Sequence, residues 1–449
     1  MTLSSIKEYE SKKSKISEEI KNLKSVAISK KTSNLFRYRE QSKTNKINVK
    51  DFNKVISIDT KKLICEVEGM TTYEDLVNET LKFNLMPCVV PELKTITIGG
   101  AATGIGIESS SFKYGFVHET IEEIEVLLPD GKTVVCNKSE NKDLFFAFPN
   151  SYGTLGYALK LRLKLIPVKK YIKIEHKKYI NAKDYFKDLK EICLSYRKNN
   201  NIQFIDGTVF NENEMYITLG SFVDEAPFTS NYKFMNIYYK SIRKNKIDYL
   251  TTLDYIWRWD TDWFWCSKHF YVQNPVIRLI FGKFLLRSST YWKIKSLANK
   301  YGLTKLFENK KITTESIVQD VGIPIENCEK FLDFFHTEIG IKPVWVCPMM
   351  NYKDIKYTIY TTDSNKLYVN FGFWDIVKTN KKVEEGYFNK KIEKVVSKLN
   401  GKKSLYSTSF YSEKEFWKLY NGINYFKLKN KYDKGKKFKN LYEKTVKRN

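Results

Sequence analysis

The chain has 449 residues, of which 42% are hydrophobic and 15% aromatic, so it can bury a large core and is not a disordered tail protein. Its formal net charge of +26 suits nucleic acid, an anionic membrane or an anionic ligand, or it reflects a lysine-rich surface. Because the sequence has neither zinc-finger spacing nor basic-region heptads, we predict no nucleic-acid partner.

The first 24 residues predict an amphipathic helix, because apolar residues recur at helical spacing among charged ones. Residues 25–168 then combine short strands and turns. The predicted elements are paired strands at 54–58 and 63–67, a helix at 73–84 with Thr72 and Asp75 as a capping box, a hairpin at 121–136 around Pro129-Asp130-Gly131, and a strand at 157–165 that Pro167 ends. Several strands for each helix indicate an α+β fold, not a doubly wound sheet.

Residues 169–401 mix helices with strands, for example at 215–220 and 366–373. Residues 402–449 contain a predicted helix at 413–420 and then a basic tail. Between residues 427 and 448 this tail carries ten basic residues against Asp433 and Glu443, so it could lie on an anionic membrane or hold a phosphate.

The seven cysteines are scattered and include no CxxC pair, which argues against a disulfide scaffold and against a zinc cluster. The N-terminus lacks the apolar region of a secretory signal, and no run of 18 apolar residues could span a bilayer as a helix. We therefore expect no metal site, and a cytoplasmic location or one at the periphery of a membrane.

A glycine-rich segment at residues 91–115 is the main candidate for ligand binding. Glycines at this density let backbone N–H groups approach a negative group such as a pyrophosphate, although a tight turn without a ligand is the alternative. A dinucleotide fingerprint would need a third glycine where Ser109 stands, and the Gly-Lys-Ser/Thr of a P-loop is absent.

The order of motifs resembles the vanillyl-alcohol-oxidase (p-cresol methylhydroxylase, PCMH) family of FAD-linked oxidoreductases. The matching motifs are TIGG after Pro91, TGIGIESSSFKYG, PDGK and DLFFAFPNSYGTLGYALKLRLKLIP. The resemblance implies a two-subdomain, PCMH-type FAD-binding domain at residues 25–168. It further implies a mixed α/β substrate (cap) domain with an antiparallel sheet at 169–401, and a C-terminal helical segment with the basic tail at 402–449.

The same resemblance implies which residues bind FAD. They are Lys31, Thr32, Ser33 and Asn34 near its pyrophosphate, Pro91, Thr97, Gly99, Gly100, Gly104, Gly106, Ser109 and Ser110 in the glycine-rich turn, and Gly153, Thr154, Gly156 and Tyr157 beyond it. Because the early loop at residues 25–40 contains neither histidine nor cysteine, we expect FAD to be bound non-covalently.

The motifs EKEFWKLYNG, VWVCP and LYVNFGFW are similar to a member of that family that saturates the side chain of sterols. This similarity implies reduction of a carbon–carbon double bond in a lipid, with NADPH as reductant, although no discrete NADPH motif is visible. The segment YIWRWDTDWFWCSKHF is similar to bacterial relatives that reduce methylene-branched acyl chains. Such acyl chains, and oxidation of an alcohol by an FAD-dependent oxidase, are the alternatives.

Four residues are candidates for catalysis. Glu108 in the glycine-rich turn is the expected acid beside the flavin, or else a structural group that holds the loop. Asn370 lies in a strand that resembles a substrate-facing strand of the family, and Lys418 is a weaker match. His269 is either a proton donor or a structural histidine.

His269 lies in an aromatic segment, residues 255–292, that holds five of the eight tryptophans together with several cations. Such a mixture is typical of a patch at a membrane interface, but a tightly packed core is equally expected. We therefore predict a lipid substrate and peripheral membrane contact through this segment and through the basic C-terminus.

Overall fold

The computed structural model describes residues 3–37, 45–300, 312–352 and 355–447. The N-terminal part contains helix α1 (Leu3–Lys21) and two sheets. Strands β1 (Val26–Ser29) and β2 (Asn45–Asn48) form a parallel pair. The second sheet consists of β3 (Val55–Asp59), β4 (Ile64–Glu68), β5 (Leu85–Pro87), β6 (Ile121–Leu127), β7 (Thr133–Asn137) and β8 (Tyr157–Pro167). Its order is β3-β4-β8-β6-β7, β5 also pairs with β8, and every pairing is antiparallel.

Local sequence determines much of this six-stranded sheet. Strand β8 pairs with β4 on one side and β6 on the other. Its alternate apolar residues, among them Leu161 and Leu163, are buried, whereas Arg162 is partly exposed. The short helices of this region are α2 (Tyr73–Leu81), α3 (Ile98–Thr103), α4 (Ser111–Tyr114) and α5 (Lys142–Ala147). As predicted, the Thr72 hydroxyl caps α2 by accepting from the backbone N–H of Asp75 at 3.1 Å. The helix ends three residues earlier than predicted, before Asn84 turns the chain with φ = 53°.

The larger sheet has eight strands. They are β9 (Tyr171–Tyr179), β10 (Phe204–Asn211), β11 (Glu214–Val223), β12 (Ile247–Thr251), β13 (Thr313–Pro324), β14 (Val344–Met349), β15 (Tyr368–Thr379) and β16 (Lys402–Lys403). Their order is β12-β9-β11-β10-β14-β15-β13-β16, with antiparallel pairing throughout. The predicted antiparallel sheet is therefore confirmed, and its edge strand β16 lies beyond residue 401, where the substrate domain was predicted to end.

The described chain after residue 181 also contains α-helices. They are α6 (Ala182–Tyr196), α7 (Tyr238–Ser241), α8 (Thr252–Ile256), α9 (Pro275–Leu285), α10 (Ser288–Lys300), α11 (Cys328–Glu338), α12 (Tyr387–Lys398), α13 (Glu413–Leu419), α14 (Gly422–Tyr432) and α15 (Leu441–Thr445). One face of the sheet packs against α6, α11 and α12, where Phe331 of α11 lies 4.8 Å from Phe371 of β15, ring centre to ring centre. The other face joins a hydrophobic core that continues into the six-stranded sheet. A site between the two sheets is therefore enclosed by both.

The aromatic segment forms part of that shared core. Trp257, Trp259, Trp263 and Trp265 are all buried, so the interpretation of these tryptophans as a membrane-interface patch is wrong. The physical reason is that the segment packs between the sheets, where Phe264 lies 4.4 Å from Trp374 of β15. Among the residues that the structure covers, no helix has both the length and the apolar character needed to cross a membrane.

The C-terminal segment packs back onto the N-terminal part of the chain. The buried Lys429 ammonium donates to the carbonyl oxygen of Thr154 and pairs with Asp433, both at 2.7 Å. Lys437 donates to the carbonyl oxygens of Ile20 and Lys21 at the end of α1. Several of the tail's charges are thus used within the protein. Arg448 lies outside the described residues.

Candidate active site

A cavity of about 470 Å³ is lined by residues of both sheets. One wall comes from the glycine-rich turn and β8, and the opposite wall comes from the aromatic segment and from strands β13, β14 and β15. Clefts of this size between packed layers are where proteins bind cofactors and small substrates.

The glycine wall is formed by backbone that nothing larger than glycine would allow. A Cβ atom on Gly99 would lie 2.7 Å from the carbonyl oxygen of Gly69, and one on Gly106 would lie 2.8 Å from a methyl of Val117. The Thr97 hydroxyl caps α3 by accepting from the N–H of Gly100 at 3.2 Å. The turn is therefore held rigidly with its backbone at the cavity surface.

Most of the predicted FAD-binding residues line this cavity. They are Thr32, Ser33, Asn34, Pro91, Thr97, Gly99, Gly100, Gly104, Gly106, Gly153, Gly156 and Tyr157. The other four predicted residues do not line the cavity. Lys31 is exposed, and the hydroxyls of Ser110 and Thr154 donate to the carbonyl oxygens of Cys88 and Ser151, each at 2.7 Å. Ser109 is 3.3 Å from the hydroxyl of Tyr255.

Three lysines that the sequence did not single out also line the cavity: Lys30, Lys46 and Lys444. Lys444 comes from the C-terminal tail, and its ammonium lies 5.9 Å from the ring centre of Tyr157. Positive charge beside a glycine-rich backbone is what an anionic pyrophosphate requires. The sequence around residues 30 and 31 does not show which of these two adjacent lysines faces the cavity.

The opposite wall is aromatic. Its rings are Phe36, Trp263, Phe264, Trp345, Trp374 and Tyr406. The ring centre of Phe36 lies 5.6 Å from that of Trp263 and 5.7 Å from that of Tyr406. These contacts join the early loop to the aromatic segment and to the C-terminal segment. A wall of this kind excludes water and offers an apolar surface to a hydrocarbon.

Glu108 lines the cavity as part of a buried charge cluster. The Arg258 guanidinium donates from Nη2 to Oε1 of Glu108 at 2.9 Å and to Oδ2 of Asp206 at 3.0 Å, and all three side chains are buried. Burial raises the pKa of Glu108, although Arg258 opposes this shift. Its second oxygen, Oε2, has no hydrogen-bond partner among the described residues, and the same is true of Oε2 of the cavity residue Glu92.

A second acidic group, Asp320 of β13, lies on the aromatic side. Asn370 donates to its Oδ1 at 2.5 Å, and the Tyr406 hydroxyl donates to its Oδ2 at 2.7 Å. The indole N–H of Trp374 in turn donates to the Tyr406 hydroxyl at 2.9 Å. Burial raises the pKa of Asp320 to about 6. The sequence missed this residue because in an alternating strand it resembles an ordinary outward-facing polar position.

Of the four predicted catalytic residues, two lie at or beside the cavity and two lie away from it. Glu108 lines the cavity, and Asn370 holds a residue that does. His269 is exposed, with Nε2 3.2 Å from Oδ1 of Asp375, and Lys418 is exposed on α13. The structure does not bring either of these last two to the cavity.

Comparison with known proteins points to the same ligand. Residues 18–137 match the family model for an FAD binding domain. The chain is 29% identical over 426 residues to Delta(24)-sterol reductase of Homo sapiens, covering 92% of this chain and 79% of that protein. It is 26% identical over 445 residues to Delta(24)-sterol reductase of Arabidopsis thaliana, covering 89% and 76%. Cytokinin dehydrogenase 3 of Arabidopsis thaliana matches 147 residues at 26%, which is 33% of this chain and 28% of that protein.

These matches confirm the predicted resemblance, and with it an FAD-binding domain and the enzyme class, an FAD-dependent oxidoreductase. The cavity fits such a cofactor on independent grounds. Its lysines can neutralise a pyrophosphate, its glycines let backbone approach a ligand, and the unpartnered oxygens of Glu92 and Glu108 can accept hydrogen bonds from hydroxyl or ring N–H groups.

Proposed function

We propose that the protein is an NADPH-dependent, FAD-containing reductase of a carbon–carbon double bond in a lipid, with the side chain of a sterol as substrate. The observation that carries this proposal is that one cavity joins the glycine-rich turn of the FAD-binding domain to an aromatic wall from the larger sheet. The names of the similar proteins support the choice of sterol.

Bound FAD would supply the hydride chemistry, and the chain's own residues supply position, charge and exclusion of water. The glycine-rich turn and Lys30, Lys46 and Lys444 hold the anionic part of the cofactor. The parallel β1–β2 pair and the six-stranded sheet, both of which contribute lining residues, act as its two subdomains. Among the described lining residues none is a histidine or a cysteine, which supports non-covalent binding.

Glu108 acts in this proposal mainly through Arg258. Arg258 belongs to the aromatic segment, so its bond to Glu108 ties the glycine-rich turn to the opposite wall, and its bond to Asp206 of β10 holds the guanidinium in place. The aromatic wall holds the hydrocarbon part of the lipid. The sequence offers no separate NADPH motif, so NADPH and lipid occupy the same cavity in turn.

The test is anaerobic mixing of the purified holoprotein first with NADPH and then with a sterol that has a side-chain double bond, while the flavin absorbance is followed. Bleaching by NADPH and recovery on adding the sterol are the expected results. Recovery only with a methylene-branched acyl lipid would move the substrate to acyl chains. Bleaching by an alcohol and not by NADPH would make the protein an oxidase. Steady-state kinetics that require a ternary complex would overturn alternate occupancy.

We further propose that the protein contacts an anionic membrane through α9. Val276, Leu279, Ile280 and Phe284 of this helix are between 63% and 87% exposed. The buried Arg278 anchors the first part of the helix through two bonds to Asp262, at 2.7 and 2.8 Å, so Val276, Leu279 and Ile280 are held outward. Phe284 follows a break in the helix at Gly282, where φ is 67°. Lys283 of α9 and Lys293 of the following helix, α10, are exposed and supply positive charge. An exposed apolar face of this size flanked by cations suits an anionic lipid surface.

A further inference from the structure

Reduction of an isolated double bond needs a proton as well as a hydride, and the aromatic wall of the cavity carries one acidic group suited to supply it. Asp320 is part of β13, in which neighbouring side chains point to opposite faces of the sheet. The side chain of the preceding residue, Gln319, is bonded to Asn389 of helix α12, whereas Asp320 lines the cavity.

The surroundings of Asp320 differ from those of Glu108, the acid predicted from the sequence. Asp320 accepts hydrogen bonds from two neutral side chains, Asn370 and Tyr406, and within the described part of the chain it forms no ion pair. The Arg37 guanidinium lies 5.1 Å from the ring centre of Tyr152, which is close to Asp320. Titratable side chains that interact electrostatically with Asp320 are Tyr152, Tyr360, Tyr406 and Cys347. Burial raises the pKa of each, so all four are neutral near pH 7.

Glu108 is the less suitable acid because it is bonded to Arg258, and a guanidinium at 2.9 Å stabilises its carboxylate form. Among the described residues, no cation forms a hydrogen bond or an ion pair with the carboxylate of Asp320. A carboxyl with a pKa of about 6 can also both lose a proton and regain it near neutral pH, as a general acid must.

We propose that Asp320 donates the proton to the double bond, and that Asn370 and Tyr406 are positioning residues for its carboxyl. This inference rests on the proposed function. One alkene carbon takes hydride that originates from NADPH, which becomes NADP⁺. At the other carbon a C–H bond forms as the O–H bond of Asp320 breaks. Asp320 is left as a carboxylate and regains one proton from solvent, so one proton is consumed for each NADPH.

The first test compares D320N with E108Q in the holoprotein, using the two steps of the flavin assay. For D320N we expect reduction by NADPH within about threefold of the wild type, because that step needs no proton from Asp320. Recovery of the flavin absorbance by the alkene should slow by about 10²–10⁴-fold, the usual contribution of a general acid. The proposal is wrong if E108Q loses the recovery of flavin absorbance by the alkene while D320N keeps it.

A second measurement needs no substrate. Infrared spectra of the oxidised holoprotein between pH 4 and 8 should contain a protonated-carboxyl band that titrates in the wild type and is missing in D320N. The same titration of Y406F should move to higher pH, because the Tyr406 bond lowers the pKa of Asp320. A purely structural role for Tyr406 would leave that midpoint unchanged.

The two measurements separate the two proposals. If no alkene reoxidises the wild-type flavin, the proposed function fails, yet the infrared titration still decides whether Asp320 carries a proton. If the wild-type and D320N spectra contain the same protonated-carboxyl bands, Asp320 is ionised from pH 4 to 8. The inference then fails, even when the alkene is reduced normally.

Discussion

The two walls of the cavity are made in different ways. The glycine wall consists mainly of the backbone of the glycine-rich turn, held so tightly that a Cβ on Gly99 or Gly106 would collide with its neighbours. The aromatic wall consists of side chains from positions as distant as Phe36, Trp263, Asp320 and Tyr406. A backbone wall leaves a contiguous signature in the sequence, whereas a side-chain wall exists only once the two sheets have come together.

Removing the ionic link between the walls should have the largest effect. In R258A the carboxylates of Glu108 and Asp206 would stay buried without their shared cation, so we expect the free energy of unfolding to fall by about 3–5 kcal/mol. Urea denaturation measures this change. The matched control is R243A, which removes an exposed arginine paired with Glu214 and should cost about 0–1 kcal/mol. Equal effects of the two variants would show that Arg258 does not join the walls.

The aromatic wall should give stability an unusual dependence on pH. Asp320 has a folded pKa of about 6, above its ordinary value of 3.8, so the folded state holds the proton more tightly. Its stabilising contribution is complete below about pH 4 and is lost as pH rises through 6, in total about 3 kcal/mol. D320N should therefore become more stable relative to the wild type as the pH rises from 4 to 7, measured as the free energy of unfolding.

Asp375 provides a control of opposite sign. Lys268 and His269 help to lower its pKa to about 2, so its contribution is present above pH 4 and is lost as pH falls through 2. D375N should accordingly differ most from the wild type at neutral pH. If the curves for D320N and the wild type stay parallel from pH 4 to 7, Asp320 does not titrate as described.

The glycine wall is tested by G106A. The added methyl would lie 2.8 Å from Val117 and 2.9 Å from Pro91, so we expect a loss of about 1–3 kcal/mol and weaker retention of FAD. Unfolding and the flavin content after dialysis report the two effects. In G435A the nearest side-chain atom is 3.8 Å from the new methyl, and little should change. A G106A protein that keeps its stability and its flavin would refute the tight backbone wall.

The smallest effect on stability should come from the surface of α9. Phe284 is 87% exposed, so F284D should change the unfolding free energy by less than about 0.5 kcal/mol. Its binding to vesicles that contain phosphatidylserine should nevertheless weaken by about tenfold or more, because a phenyl group is no longer buried in lipid. I423D alters an equally exposed residue on α14 and serves as the control. The membrane proposal fails if the two variants bind vesicles alike.

What the sequence could predict follows the same division. The Thr72 cap, the alternation of β8 and the glycine-rich turn depend on neighbouring residues, and all were foreseen. The choice of Lys30 over Lys31 and the role of Lys444 depend on where distant segments pack.

The aromatic segment shows the limit most clearly. Tryptophans beside cations suit both a membrane interface and a core, and only packing against β15 decides that they are buried. The exposed apolar residues of the same segment include Val276, Leu279, Ile280 and Phe284. The sequence did not predict that they are exposed, because their spacing also suits a core-facing helix.

The most direct test of a shared cavity is the absorbance spectrum of the oxidised holoprotein on titration with a sterol whose side chain is saturated and cannot react. Because the aromatic wall faces the glycine-rich turn across one cavity, sterol binding should perturb the flavin bands. Sterol binding that leaves the flavin spectrum unchanged would place the lipid elsewhere and contradict a common site.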